Sequence, residues 1–281
     1  MPENVGRTHE YHASATVISG HLKLPLVREI RPQAKAELHR EGGYFSQRVE
    51  NFSVEGVISI RSAYTQVSGN KSTKEGQGWT TLTTTTIEGL NVLEVVTADR
   101  VVGQTVTEHP REGYVPSISF LGTRFENLRI AGHPVDLDID HEILGEKPNG
   151  DGTYTKDSGL IARAGSQYNR VLQNSALPED LRERYNRLSS TLGSTEAVEC
   201  SLVNRASGSY PGLSFGHILQ VPDFGKIILA QLKVSHGDYG TPSGAPKITN
   251  VHLTMVHLEL GCAVDGSVPI GSGSSNGGTV P

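Results

Sequence analysis

The fold class is decided by one stretch, Trp79-Thr80-Thr81-Leu82-Thr83-Thr84-Thr85-Thr86-Ile87-Glu88, in which six residues are threonines. Threonine and isoleucine are branched at Cβ, which restricts their side-chain torsions and favours an extended backbone. The stretch therefore predicts a β-strand. Its threonines have two interpretations: they form a flat face for a neighbouring subunit or a glycan, or they serve the strand alone.

Strand patterns surround this stretch on both sides. Residues 57–67 alternate between apolar and polar side chains, and a polar loop over 68–78 leads from them to the threonine strand. Residues 92–106 follow as one long strand or a broken pair. Further strands are predicted over 13–24, 44–52, 196–203, 215–221, 226–234 and 248–260. This organisation predicts a mainly β chain that forms an antiparallel β-sandwich-like domain, as one unit or as two packed halves.

A hairpin signal lies at residues 128–137, Leu-Arg-Ile-Ala-Gly-His-Pro-Val-Asp-Leu. A two-residue turn at Gly132-His133 would place apolar pairs on one face and polar pairs on the other. The predicted cross-strand pairs are Ile130 with Val135, Leu128 with Leu137, and Arg129 with Asp136.

A helical hairpin interrupts the strands at residues 157–192. Apolar residues recur there at helical spacing, after a predicted cap at Asp157 or Ser158. Pro178 opens the second helix, whose first turn is acidic, as the helix dipole favours. The insertion is also basic, which indicates either an interaction face or a solvated helix face. Its arginines are Arg163, Arg170, Arg182, Arg184 and Arg187.

The two ends of the chain have little apolar mass. We expect residues 1–12 and the Gly/Ser-rich residues 266–281 to be tails around a β-rich domain over 13–265. No stretch has the apolar core of a signal peptide or the apolar length of a membrane span. The expected location is the cytoplasm, and the alternative is the cell surface or the exterior, reached without a cleaved signal.

Charge and cysteine content exclude several classes of protein. The net charge of −5 is spread along the chain and gives no electrostatic reason for nucleic acid as the main partner. The chain's two cysteines, Cys200 and Cys262, do not make a disulfide framework. Each lies in an apolar run, so buried free thiols are predicted, and a disulfide between them is the alternative.

One acidic pattern predicts a metal site. Asp136, Asp138 and Asp140 alternate with apolar residues, so on a strand their carboxylates share one face. Like charges on one face need compensation, which a Ca²⁺ ion could supply because carboxylate oxygens are its ligands. In the alternative they form a solvated face, with Arg129 facing Asp136 and Asn127 facing Asp138.

No catalytic set is identified in the sequence. The eleven histidines show no zinc-site spacing, and His252 and His257 fall on opposite faces of a strand. A G-x-S-x-G pattern occurs at 273–277, but a nucleophile elbow needs a strand before it and a helix after it. In a Gly/Ser tail the pattern is an accident of composition. We therefore assign no catalytic or cofactor-binding residue.

Several motifs resemble the choice-of-anchor P domain of bacterial surface proteins. Residues 87–92 and 96–101, Ile-Glu-Gly-Leu-Asn-Val and Val-Thr-Ala-Asp-Arg-Val, are similar to its "A-x-V-x-G-L … V-T-A-D-x-V" pattern. Residues 128–135 resemble its "L-x-V-N-G-x-P-V" hairpin, and residues 221–227 and 251–255 resemble its closing strands. The resemblance covers about half of the chain in the right order. It implies an all-β, surface-displayed bacterial domain with no assigned catalytic residues.

These observations favour a non-catalytic structural or interaction protein. We expect a homo-oligomer that assembles through strand edges, the helical insertion or the tails. The alternatives are a ligand- or glycan-binding β module with a bound cation, and a hydrolase whose site is assembled only in the fold.

Overall fold

The computed structural model describes residues 8–24, 27–149, 152–238, 247–261 and 264–280. Within these ranges the chain forms strands and two α-helices. The strands are β1 (Thr8–Glu10), β2 (Ala13–Leu24), β3 (Arg28–Gln33), β4 (Ala36–Glu37), β5 (Gly43–Val54), β6 (Ile58–Lys71), β7 (Gln77–Val92), β8 (Val96–Pro110), β9 (Ser117–Ser119), β10 (Arg124–Glu126), β11 (Arg129–Ile130), β12 (His133–Pro134), β13 (Asp136–Ile139), β14 (Ala197–Ser201), β15 (Val203–Ser207), β16 (Leu213–Phe215), β17 (Ile218–Val221), β18 (Gly225–Asp238), β19 (Lys247–Gly261), β20 (Asp265–Ser275) and β21 (Gly278–Val280). The helices are α1 (Ser158–Leu172) and α2 (Glu179–Thr191).

Two large antiparallel sheets contain most of these strands. The eight-stranded sheet has the order β12-β11-β8-β7-β6-β5, and β9 and β10 also pair with β8. The nine-stranded sheet has the order β16-β17-β18-β19-β20-β2-β3, with β14 on β18 and β4 on β2. Strands β2, β19 and β20 contact β6, β7 and β8 across the gap between the sheets. The predicted mainly β, sandwich-like architecture with a helical insertion is confirmed.

One face of the threonine strand β7, within the eight-stranded sheet, packs against the nine-stranded sheet. Thr81, Thr83 and Thr85 are buried. The hydroxyl of Thr85 donates to the carbonyl of Ser272 on the facing β20, at 3.3 Å. This face is therefore internal, so the interpretation of the threonines as a docking face for a subunit or a glycan is wrong.

The C-terminal segment differs from the expected tail. β20 pairs with β19 on one side and with β2 on the other, so it is a central strand of the nine-stranded sheet. A side chain at Gly266 would bring its Cβ within 2.3 Å of the carbonyl oxygen of His21. At Gly266 the lack of a side chain therefore lets β20 approach β2 closely.

The N-terminal segment also differs from a tail in its described part. β1 pairs with β21, with Thr8 opposite Val280. His9 and Tyr11 are buried. The folded unit thus includes Thr8–Glu10 and continues to Val280, beyond the boundaries predicted at residues 13 and 265.

The hairpin at 128–137 forms, but its register is not the predicted one. The pairs are Arg129 with Pro134 and Ile130 with His133. Ala131 and Gly132 both have positive φ, 49° and 81°, which a type I′ turn requires of its two central residues. The turn is therefore Ala131-Gly132 rather than Gly132-His133. The predicted pairs Ile130–Val135, Leu128–Leu137 and Arg129–Asp136 are wrong.

The helical insertion agrees with its prediction. The carboxylate of Asp157 accepts a hydrogen bond from the backbone N–H of Leu160 at 2.8 Å and so caps α1. The apolar face of α1 is buried, and α1 contacts β14. Neither helix of the described residues has the length and apolar character that crossing a bilayer requires.

A substitution in β20 tests whether this segment is a central strand or a tail. Ile270 is fully buried, so Ile270→Ala should lower the free energy of unfolding by about 2–5 kcal/mol. The exposed Asn276, just beyond the same strand, is the control, and Asn276→Ala should change it by less than about 0.5 kcal/mol. Urea denaturation measures both values. Equal effects of the two substitutions would contradict the central position of β20.

Candidate functional site

The longest uncovered sheet margin in the described chain is β5. Eight of its twelve residues are exposed and three are half-buried. It pairs with β6 on one side only. The backbone N–H and C=O groups along its other side are therefore open to a strand from another molecule.

The other margins of the two sheets are short or interrupted. The outer side of β8 is covered in pieces by β9, β10 and β11, which are two or three residues long. The nine-stranded sheet ends in β16, of three residues, and in β3, which contains Pro32. Short strands and proline are devices that prevent edge-to-edge pairing. β5 lacks both.

The middle of β5 carries one charge of each sign on the same face. A guanidinium nitrogen of Arg48 lies 2.6 Å from a carboxylate oxygen of Glu50, and both side chains are more than half exposed. Val49, between them, is half-buried and packs against the main core. Phe52 packs there as well, and Phe45 packs against a smaller cluster around Tyr11. Val49 and these two phenylalanines thus give β5 a partly accessible apolar row.

The three aspartates of the predicted cation site lie at β13 and just after it. Asp136 pairs with Ser207 and Asp138 with Arg205, and both aspartates are exposed. The carboxylate of Asp140 accepts a hydrogen bond from the backbone N–H of Glu142 at 2.9 Å.

The compensating partners expected for these aspartates are engaged elsewhere. Asn127 donates to Asp99 at 2.6 Å, and Arg129 donates to the carbonyl of Gly132 at 3.1 Å. No group of three or more His, Cys, Asp or Glu side chains suited to a metal ion occurs among the described residues. The Ca²⁺ site stays a prediction.

The arginines of the helical insertion mostly contact the protein itself. Arg163 donates to the carbonyl of Ile143 and Arg170 to that of Asn204, each at 2.6 Å. Arg184 forms ion pairs with Glu199 and Glu259. These contacts tie the insertion to neighbouring segments of the chain, and the interaction face and the solvated helix face both stay predictions.

An aromatic cluster that the sequence did not indicate lies at one end of the sandwich. The ring of His9 is stacked on the indole of Trp79 with 5.0 Å between centroids. Tyr11 meets His9 edge-on at 4.6 Å, and His109 lies 4.5 Å from His9. These residues come from β1, the segment after it, β7 and β8. No local pattern links them, and His9 was expected in a tail.

Burial keeps the histidines of this cluster neutral. Together with a smaller effect of the nearby His12, it lowers the pKa of His9 to about 4. Burial also lowers the pKa of His109 to about 3, with smaller contributions from His9 and Lys147. In the same way burial, with Arg184 and Arg170, lowers the pKa of His217 to about 3 beneath the helical insertion. There His217 lies 2.8 Å from the hydroxyl of Tyr185.

Ser275 and Cys200, which the sequence also singled out, are both buried. Ser275 of the G-x-S-x-G pattern is buried, and its hydroxyl lies 3.0 Å from that of Thr107. A strand rather than a helix follows it, which excludes a nucleophile elbow. Cys200 is a buried free cysteine, and Cys262 lies outside the described residues, as does any pairing between them.

A family model matches most of the chain. The family is described as a domain of unknown function, DUF8256, and the match covers residues 9–235. The chain belongs to the DUF8256 family. The matched region begins in β1 and ends in β18, so β19 and β20 complete the nine-stranded sheet beyond it. Searches of curated proteins and of solved structures found no match.

The buried histidines predict that stability falls in acid. In the unfolded chain a histidine takes up a proton below its ordinary pKa of about 6.5, whereas His9, His109 and His217 stay neutral in the fold until about pH 3 to 4. The unfolded state then binds more protons, so the free energy of unfolding decreases as pH falls below about 6.5. At pH 5 each histidine should cost about 2 kcal/mol relative to pH 7.

Urea denaturation at pH 7 and pH 5 measures this difference. The variant His109→Phe should show a smaller pH dependence than the parent protein. The exposed His133 is the control, and His133→Gln should leave the pH dependence unchanged. Equal free energies of unfolding at the two pH values would contradict the burial of neutral histidines.

Proposed function

We propose that this protein is a non-catalytic interaction module that self-associates by pairing the β5 edges of two copies. The observation that carries the proposal is the contrast between β5, an open margin of twelve residues with one irregular interior position, Asn51, whose φ is 50°, and the short or proline-containing margins elsewhere in the described chain. An open edge of this length is a template for another strand.

Charge complementarity favours a second copy as the occupant. In an antiparallel pairing centred on Val49, Arg48 of each copy lies directly opposite Glu50 of the other. Opposite charges in such cross-strand positions are favourable, and like charges are unfavourable. Within one copy Arg48 already contacts Glu50, so the charges select the register more than they add affinity.

This arrangement closes at two copies. The contact uses the same strand of both copies around a two-fold axis and is therefore self-complementary. Neither β5 edge then remains open to a third copy. The two eight-stranded sheets become one continuous sheet. The other surfaces considered from the sequence are less suited: α1 is packed on β14, and the described ends of the chain pair with each other.

The sequence resemblance supports the same type of function. The choice-of-anchor P domain implies a surface-displayed β domain without assigned catalytic residues, and a displayed domain that pairs by its edge would link copies. Bacterial origin and surface display are part of this proposal.

Charge reversal on β5 tests the pairing. Sedimentation velocity between about 1 and 100 µM should show a monomer–dimer equilibrium for the parent protein. Arg48→Glu places two carboxylates opposite each other at two positions, which should raise the dimer Kd by roughly 10- to 100-fold. The double variant Arg48→Glu/Glu50→Arg restores opposite charges and should return the Kd to near the parent value.

The control uses a matched pair on a short strand. Arg124 and Glu126 of β10 are also two residues apart and in contact, at 2.7 Å. Arg124→Glu should therefore leave the dimer Kd unchanged. A parent protein that stays monomeric over the whole concentration range would overturn the proposal. A dimer that is insensitive to Arg48→Glu would overturn the β5 contact.

A further inference from the structure

A cleft of about 670 Å³ opens at the end of the sandwich beside the aromatic cluster. Its aromatic wall consists of His9, Tyr11 and Trp79. Trp79 is half-buried, so part of its indole faces the cleft, whereas the other two rings are largely covered. The volume is in the range of sites that bind small molecules.

The aromatic wall is held rigidly by its surroundings. The ring of Tyr11 lies against two glycines, because a Cβ at Gly69 would come within 2.4 Å of it and a Cβ at Gly42 within 2.9 Å. Stacking against His9 covers one face of Trp79 and holds its ring in place. A ligand that packs on this wall would therefore not have to order it first.

The rim of the cleft mixes donors and acceptors with no net charge. Arg40 and Lys71 contribute cations, Glu10 and Glu41 contribute carboxylates, and Asn70 contributes an amide. In the described ranges Arg40, Lys71 and Glu41 form no ion pair, and all three are exposed. His9 is neutral at pH 7, because burial lowers its pKa to about 4, and adds no charge to the wall.

We propose that this cleft binds a neutral saccharide. The hydroxyl groups of a sugar both donate and accept, so they match a rim that offers cations, carboxylates and an amide together. The C–H face of a sugar ring is apolar and can pack on the electron-rich face of Trp79. An anionic ligand would face Glu10 and Glu41, and a cationic ligand would face Arg40 and Lys71.

The site is separate from the proposed dimer contact. The cleft meets β5 only at its first residue, Gly43, whereas the charge pairs of the dimer are at Arg48 and Glu50. Saccharide binding therefore does not depend on self-association, and either proposal can fail alone.

Trp79 provides a direct readout, because it is the only tryptophan in the chain. The full-length protein is titrated with hexasaccharides of four kinds: an α-glucan, a β-glucan, chitin and mannan. Each is raised to about 10 mM, which saturates a site with a Kd near 1 mM. At least one should change the Trp79 emission in a saturable way. If none does, the proposal is overturned.

A matched pair of variants places the binding in the cleft. Glu41→Gln should raise the saccharide Kd about 10-fold, as expected for loss of one hydrogen bond to a charged group. Glu75→Gln, in the exposed β6–β7 loop outside the cleft, should leave it unchanged. Equal affinities for the parent and the Glu41→Gln variant would overturn this location. Binding of an oligoglucuronate with no binding of the neutral sugars would overturn the neutral class.

Discussion

The structure depends on the backbone pairing of β20 with strands from both ends of the chain. β20 joins β2, near the start, to β19, near the end, and it also faces β7 across the sandwich. Without it the nine-stranded sheet would separate into two parts. The pairing requires close approach of the backbones at Gly266, where a Cβ would meet the carbonyl oxygen of His21, while Val268 and Ile270 are fully buried. A Gly/Ser-rich sequence, poor in apolar mass, therefore holds the position on which the other layers depend.

Elements with a strong local signal could be predicted from the sequence. β2 begins and ends where alternation of side chains placed it, and α1 follows the cap at Asp157. The C-terminal strand could not be predicted in this way, because Val268 and Ile270 alone are too short an apolar pattern, and the rest of its pairing comes from backbone hydrogen bonds on both sides and from close approach. The predicted hairpin register was wrong because Ala131 adopts a positive φ, which is uncommon for a residue with a side chain and is not indicated by the sequence.

The candidate sites were less accessible to sequence reasoning than the fold. β5 was recognisable as a strand, and strand edges were expected to mediate association, but which strand is an edge is decided by the order of the whole sheet. Arg48 and Glu50 can be read from the sequence, but they can pair with a second copy only because β5 is an edge strand. The cleft is harder to predict than β5, because His9 and Trp79 are distant in sequence and meet only in the folded chain, where β1 pairs with β21.

That pairing also brings the two described ends of the chain side by side. Thr8 lies opposite Val280, so a short linker could join them without disturbing either large sheet. The exposed loop at residues 73–76, between β6 and β7, offers a place to open the chain instead. A circular permutant of this kind would keep every strand pairing described above, and its new termini would lie at the tip of the β6–β7 hairpin. Equally, domains fused before Thr8 and after Val280 would be attached at adjacent positions of one strand pair.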